Sequence, residues 1–310
     1  MKKSINIFLY LPIVFGATAP LLFMNSCGDE PFVAHILPEE YYMIDDSGAF
    51  TGIADNKDVE NYNEIVVPAS VTSFGYNTGN PDADPHDFYN LQKYPNITSI
   101  VFEEGSQCSF FPNKVSWGTN GSWPLRYITN FDTSNIVVPF AYGTNFFSYF
   151  ISLQNLHFTT NFDGGGYELF WNHWLMKGGG TNIYIDKRPG NPFTLSTDLI
   201  GYDGSGDHSS SYMGIKSIHI DADVASIKSR AIRNLGNLTD LYLYGHAPAD
   251  PSEIANNWLG NGGEDANSFH SKLRIHTKTG LGWLEILEDP NRTWNTTPSG
   301  GLNPNNIIVA

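Results

Sequence analysis

The stretch "IKSIHIDADVASIKSRAIRNLGNLTDLYLYG", Ile215 to Gly245, has a counterpart upstream in "EIVVPASVTSFG" (64–75) and "FYNLQKYPNITSIVF" (88–102). "VASIK" answers "VTSFG", and "AIRNLGNLTDLYLY" answers "FYNLQKYPNITSIVF". In both copies an asparagine or glycine turn leads into a strand with alternating apolar residues, Ile97, Ile100 and Phe102 in one and Leu238, Leu241 and Leu243 in the other. Such recurrence constrains the fold strongly, because one unit cannot bury its apolar face alone whereas stacked copies can. Weaker copies begin at "LRYITNF" (125–131), "FFSYFISLQNLHFTT" (146–160), "TNIYID" (181–186) and "SKLRIHTK" (271–278). Strand centres at Ile100, Ile128, Leu156, Ile183, Ile218, Leu241 and Ile275 lie 28, 28, 27, 35, 23 and 34 residues apart. Strands are expected over 97–102, 156–159, 182–185, 216–220, 239–243 and 273–276. Alternation turns Ile218 and Ile220 inward and Ser217 and His219 outward, with Asp240 and Tyr242 outward on the next strand. Asn96, Asn155 and Asn237 are expected to satisfy turn backbone with their side chains.

The pattern "IVVPASVTSFG…FYNLQKYPNITSIVF" resembles the BspA-type (Treponema pallidum-type) leucine-rich repeat. The resemblance is closest at 62–106 and 215–245 and weaker at 125–160, while 107–124 and 161–214 read as insertions. "YYMIDDSGAFTGI" (41–53) is similar to the hairpin that precedes the first repeat of that family, and "LRIHTKTGLGWLEILEDPNRTW" (273–294) to its closing segment. Where the family carries an alanine-phenylalanine pair, this chain has Ala231-Ile232 and Phe88-Tyr89. The resemblance implies a β-rich solenoid of degenerate leucine-rich repeats with short helices and long insertions. It also implies a cell-surface protein, adhesin-like, that binds extracellular protein or glycan ligands. A glycan-binding or glycan-processing accessory lipoprotein is the alternative.

The N-terminus points the same way. Lys2 and Lys3 precede an apolar run from Ile5 to Met24, and Ser26 stands before Cys27, the pattern of an export signal. Pro12 and Pro20 disfavour a stable spanning helix there. "FMNSC" resembles the bacterial lipobox, which implies cleavage before Cys27 and acylation of its thiol, with palmitate among the chains such anchors carry. The expected organisation is a signal peptide at 1–26, a tether at 27–37, the repeat-like domain at 38–296 and a tail at 297–310. The expected location is extracytoplasmic, lipid-anchored at a membrane or the outer surface.

With 17 Lys and Arg against 32 Asp and Glu, a net charge of −15 argues against a nucleic-acid partner, which needs clustered cations. No HExxH metal motif or GxSxG nucleophile elbow is present, so no catalytic residue and no cofactor is assigned, and the chain is read as a non-enzyme. Cys108, in "EEGSQCSFFP", reads as a small buried hydrophobe. Asp82, Asp84 and Asp87 of "NPDADPHDF" are weak metal candidates, since calcium takes several oxygens from one tight loop but an EF-hand pattern is absent. "YELFWNHWLMKGGG" (167–180) gathers Trp171 and Trp174, which suit ligand stacking or an interface anchor. The ligand-binding candidates are therefore Trp171, Trp174, His219 and Tyr242.

Overall fold

The computed structural model describes residues 22–23, 32–55, 57–75, 91–111, 125–140, 142, 146–161, 180–187, 192–196, 199–201, 214–233, 235, 237–255, 258–260, 272–289 and 304–310. Cys27, Asp82, Asp84, Asp87, Trp171 and Trp174 lie outside the described residues. The chain divides into two compact units, Met1–His35 and Ile36–Ala310. In the first, Leu22–Phe23 pairs antiparallel with Phe32–Val33.

The second unit is built on one nine-stranded sheet. Its strands are β1 (Glu64–Val67), β2 (Ser99–Phe102), β3 (Asn130–Asp132), β4 (Asn155–Thr159), β5 (Thr181–Asp186), β6 (Ile215–Ile220), β7 (Asp240–Leu243), β8 (Arg274–Thr277) and β9 (Ile307–Val309). They lie side by side in chain order, each parallel to the next. One inward row fixes the register. Ile65, Ile100, Phe131, Leu156, Ile183, Ile218, Leu241 and Ile275 pair across successive strands, and each is 0 % exposed. A slip of one residue on any strand would turn that row outward, so burial itself sets the register.

The strands approach from similar turns. Ile97, Ile128 and Leu238 each donate a backbone N–H to the carbonyl three residues back, on Tyr94, Leu125 and Leu235. Asparagine side chains tie neighbouring turns together. Asn96 donates to the carbonyls of Val59 and Tyr62, Asn135 to Phe102 and Asn161 to Ile136. Asn155 instead lies within β4 and accepts from Asn182. Behind the sheet a phenylalanine cluster fills the interior, with ring centroids 5.3–5.7 Å apart between Phe74 and Phe102, Phe74 and Phe131, and Phe111 and Phe146.

The fold class read from the sequence is corrected here. In place of a β-rich solenoid of degenerate leucine-rich repeats with short helices, the chain forms mostly one large parallel β-sheet with few helices. Among the described residues the α-helix is confined to Trp283–Leu287, with a few single 3-10 turns elsewhere. Among the described residues, short extended stretches of the connecting segments pair with one another. Phe193–Leu195 runs parallel to Val224–Ile227, Ile200–Gly201 to Ile232–Arg233, and Ile232–Arg233 to Leu259–Gly260. The physical reason is composition. Val224, Ile227 and Thr194 are β-branched and Phe193 is aromatic, residue types that favour a pleated surface over a helix. One strand centre also moves. Ile128 closes the turn before β3, as Ile97 does before β2, and Phe131 takes the inward central position. Ahead of the sheet, Tyr42–Ile44 pairs antiparallel with Ala49–Ile53. No helix among the described residues is long and apolar enough to cross a membrane.

Candidate functional site

The residue after each inward centre faces the other side of the sheet. On five successive strands that residue is His157, Tyr184, His219, Tyr242 and His276, and the parallel register sets each opposite the next. Their rings stack face to face. Centroids are 4.1 Å apart for His157–Tyr184, 4.4 Å for Tyr184–His219, 4.1 Å for His219–Tyr242 and 4.2 Å for Tyr242–His276, with interplanar angles of 5°, 21°, 7° and 15°. Strands about 4.8 Å apart bring flat side chains close to contact distance, so an in-register row of rings stacks with little adjustment. The row spans four inter-strand gaps, about 19 Å.

A second row runs beside it, one residue before each inward centre. Ser99 Oγ donates to Glu64 at 2.8 Å, Asn130 Nδ2 to Ser99 at 3.0 Å, Asn182 Nδ2 to Asn155 at 3.2 Å and Ser217 Oγ to Asn182 at 2.8 Å. Each histidine of the ring row is anchored through one ring nitrogen. His157 Nδ1 lies 3.1 Å from Asp186 Oδ2, His219 Nε2 3.0 Å from Ser217 Oγ and His276 Nε2 2.7 Å from Asp240 Oδ1. The other nitrogen of each, and the hydroxyls of Tyr184 and Tyr242, make no hydrogen bond with the described residues. The faces of the inner rings are thus occupied by their neighbours, and what the ladder offers a ligand is a line of polar ring edges.

The electrostatics differ at the two ends. Asp240, with a side chain only 7 % exposed, takes Arg274 Nη2 at 2.7 Å as well as His276. Burial opposes its charge, but the bonds from Arg274, His276 and Thr239 hold its carboxyl below the usual range. At the other end Asp132 on β3 stands opposite His157, and Asp186 caps β5 on the same face. Burial pulls His157 down, but the bond to Asp186 and the charges of Asp132, Asp186 and Asp221 outweigh it and raise its pKa. Asp221 is raised by burial first and by Asp186 second. Asp132, His157 and Asp186 each place a potential metal-ligand atom within 4.8 Å of the others.

In the middle of the ladder His219 is held down to about 4, by burial first and then by the charges of His157 and His276. The unfolded imidazole takes up its proton near pH 6.5, the folded one only near 4. The stability His219 contributes is therefore complete above pH 6.5 and lost as pH falls toward 4. His219 is only half-buried, so solvent screening reduces the free energy tied to this shift to about 1–2 kcal/mol. His157, raised, contributes in the opposite sense, so His219 must be isolated. His219→Phe keeps a ring in the stack, and between pH 6.5 and 4 the parent is expected to lose about 1–2 kcal/mol more than this variant in urea unfolding. Parallel pH profiles for the two proteins would refute this.

Of the candidates named from sequence, His219 and Tyr242 are brought into direct stacking contact. Ser217 and Asp240 share their face but are 6 % and 5 % exposed, so they act beneath the ladder rather than on it. Cys108 is buried, and burial pushes its thiol up to about 12. Sequence reasoning missed Asp132, His157, Tyr184, Asp186 and His276 as partners of one face. The available signal was positional, since each ring follows immediately after an inward strand centre. No family model matches the chain, and no curated protein is significantly similar to it.

Proposed function

We propose that this chain is a lipid-anchored bacterial surface protein that binds extended extracellular ligands, protein or glycan, along the His/Tyr ladder. The observation that carries the reading is the unbroken row of five ring edges, in register over about 19 Å. Tyrosine hydroxyls both donate and accept, and a neutral histidine nitrogen does one or the other, so the row can meet mixed hydrogen-bonding groups of a peptide or a sugar chain. Rigid aromatic side chains lose little entropy on binding, and stacking fixes these rings before a ligand arrives. A ligand about 19 Å long matches about six residues of extended peptide.

The full-length protein, detergent-solubilised, is to be run on a glycan array and on a panel of host-matrix proteins. Retention of an oligosaccharide or a matrix protein is the expected result, and no retention on either surface would overturn the reading. The anchor has its own test. Cys27→Ser is expected to move the protein from the membrane pellet to the soluble fraction or to leave the signal unprocessed. A variant processed and pelleted as the parent is would show that Cys27 carries no lipid.

A further inference from the structure

We infer that Asp132, His157 and Asp186 form a binding site for one divalent transition-metal ion, of which Zn2+ is the probe of choice. The three residues come from three adjacent strands, β3, β4 and β5, and project from one face of the sheet. Two carboxylates and one imidazole are ligands that Zn2+ and its neighbours in the first transition row accept, at about 2.0–2.2 Å. Ligands at that distance on one ion sit about 3–3.4 Å apart. His157 Nδ1 and Asp186 Oδ2 already stand 3.1 Å apart, and all three ligand atoms fall within 4.8 Å of one another. In the ion-bound form proposed, the Asp132 and Asp186 side chains rotate to close the remaining distance with their oxygens.

Two features favour an ion over a bare ion pair. The first is charge. Among the described residues neither Asp132 nor Asp186 is paired with a lysine or arginine, and Asp221 adds a third carboxylate within electrostatic reach of Asp186 and His157. By contrast, Asp240 at the far end of the same ladder has Arg274. The second is preorganisation. The His157 ring is clamped against Tyr184 at 4.1 Å, and Asp132 Oδ1 accepts the backbone N–H of Ser134 at 2.8 Å, which leaves its other oxygen available. Supporting contacts of this kind hold metal ligands in their orientation. Three protein ligands leave at least one position for water or for an oxygen of a ligand lying on the ladder.

The test is isothermal titration of the metal-stripped full-length protein with Zn2+ alone. The parent is expected to take up an ion that His157→Gln and Asp132→Asn bind at least tenfold more weakly. His246→Gln, which removes a histidine whose side chain pairs with Asp223 among the described residues, is expected to bind as the parent does. No uptake by the parent, or affinity in His157→Gln within twofold of the parent, overturns the assignment. Should both ligand variants fail to fold, anomalous scattering from Zn2+-soaked crystals of the parent decides. A peak within about 2.3 Å of the three residues supports the site, and peaks only elsewhere overturn it.

Discussion

Gly245→Ala is expected to destabilise the protein by about 3 kcal/mol or more, at the upper end of what a single added methyl group costs. Gly245 follows β7, and a Cβ built on it would lie 1.9 Å from the carbonyl oxygen of Ala222 and 2.8 Å from the backbone nitrogen of Asp223, just past β6. Both obstacles are backbone, so no side chain can rotate away. Moving the turn is equally costly. Gly245 N–H donates to Ile220 at 3.0 Å, and its carbonyl accepts Trp283 Nε1 at 2.8 Å. Trp283 is 1 % exposed, so displacing Gly245 would strand a buried indole N–H as well. Gly280→Ala is the control. Gly280 has φ +80° with nothing within 4 Å of its missing Cβ, and only the backbone strain of about 1 kcal/mol applies. Urea unfolding of the two variants measures the difference. Equal costs would mean that the close approach of the β6 and β7 turns contributes nothing.

The same turns show how far the sequence could be read. The strands at 155–159, 181–186 and 215–220 fall where alternation of apolar residues places them, because an inward row at period two is a local property. The β3 strand is displaced by three residues, since "LRYITNFD" offers Ile128 and Phe131 as candidate strand centres, both of them buried, and only Phe131 pairs in the sheet. Turn geometry decides between them, and it is invisible in an apolar count. The fold class was misread for a related reason. Leucine and isoleucine at tight spacing fit several ways of returning the chain, and the extended pairing of Phe193–Leu195 with Val224–Ile227 is a contact between segments about thirty residues apart. The ladder was half legible. His219 and Tyr242 could be named because each lies outward on its own strand, but their stacking depends on a register that no single strand encodes. Asp132, His157 and Asp186, separated by 25 and 29 residues, carry no local motif at all.

The account stands on the ring edges, and the double substitution Tyr184→Phe, Tyr242→Phe isolates them. Phenylalanine preserves the stack, so the roughly 0.5–1.5 kcal/mol carried by each ring contact remains. The two hydroxyls make no hydrogen bond with the described residues, so stability is expected to stay within about 0.5 kcal/mol of the parent. What changes is the chemistry offered to a ligand. Two lost hydrogen bonds, each worth about 0.5–1.5 kcal/mol net, weaken binding by roughly five- to a hundredfold. The decisive measurement is the dissociation constant of the parent and of the double variant for the best-retained glycan or matrix protein, taken alongside their urea midpoints. The account predicts equal midpoints and affinity lower by about fivefold or more in the variant. Equal midpoints with affinities within twofold of each other would contradict it, and the ladder would then be a device for holding the sheet together rather than the surface through which this protein binds.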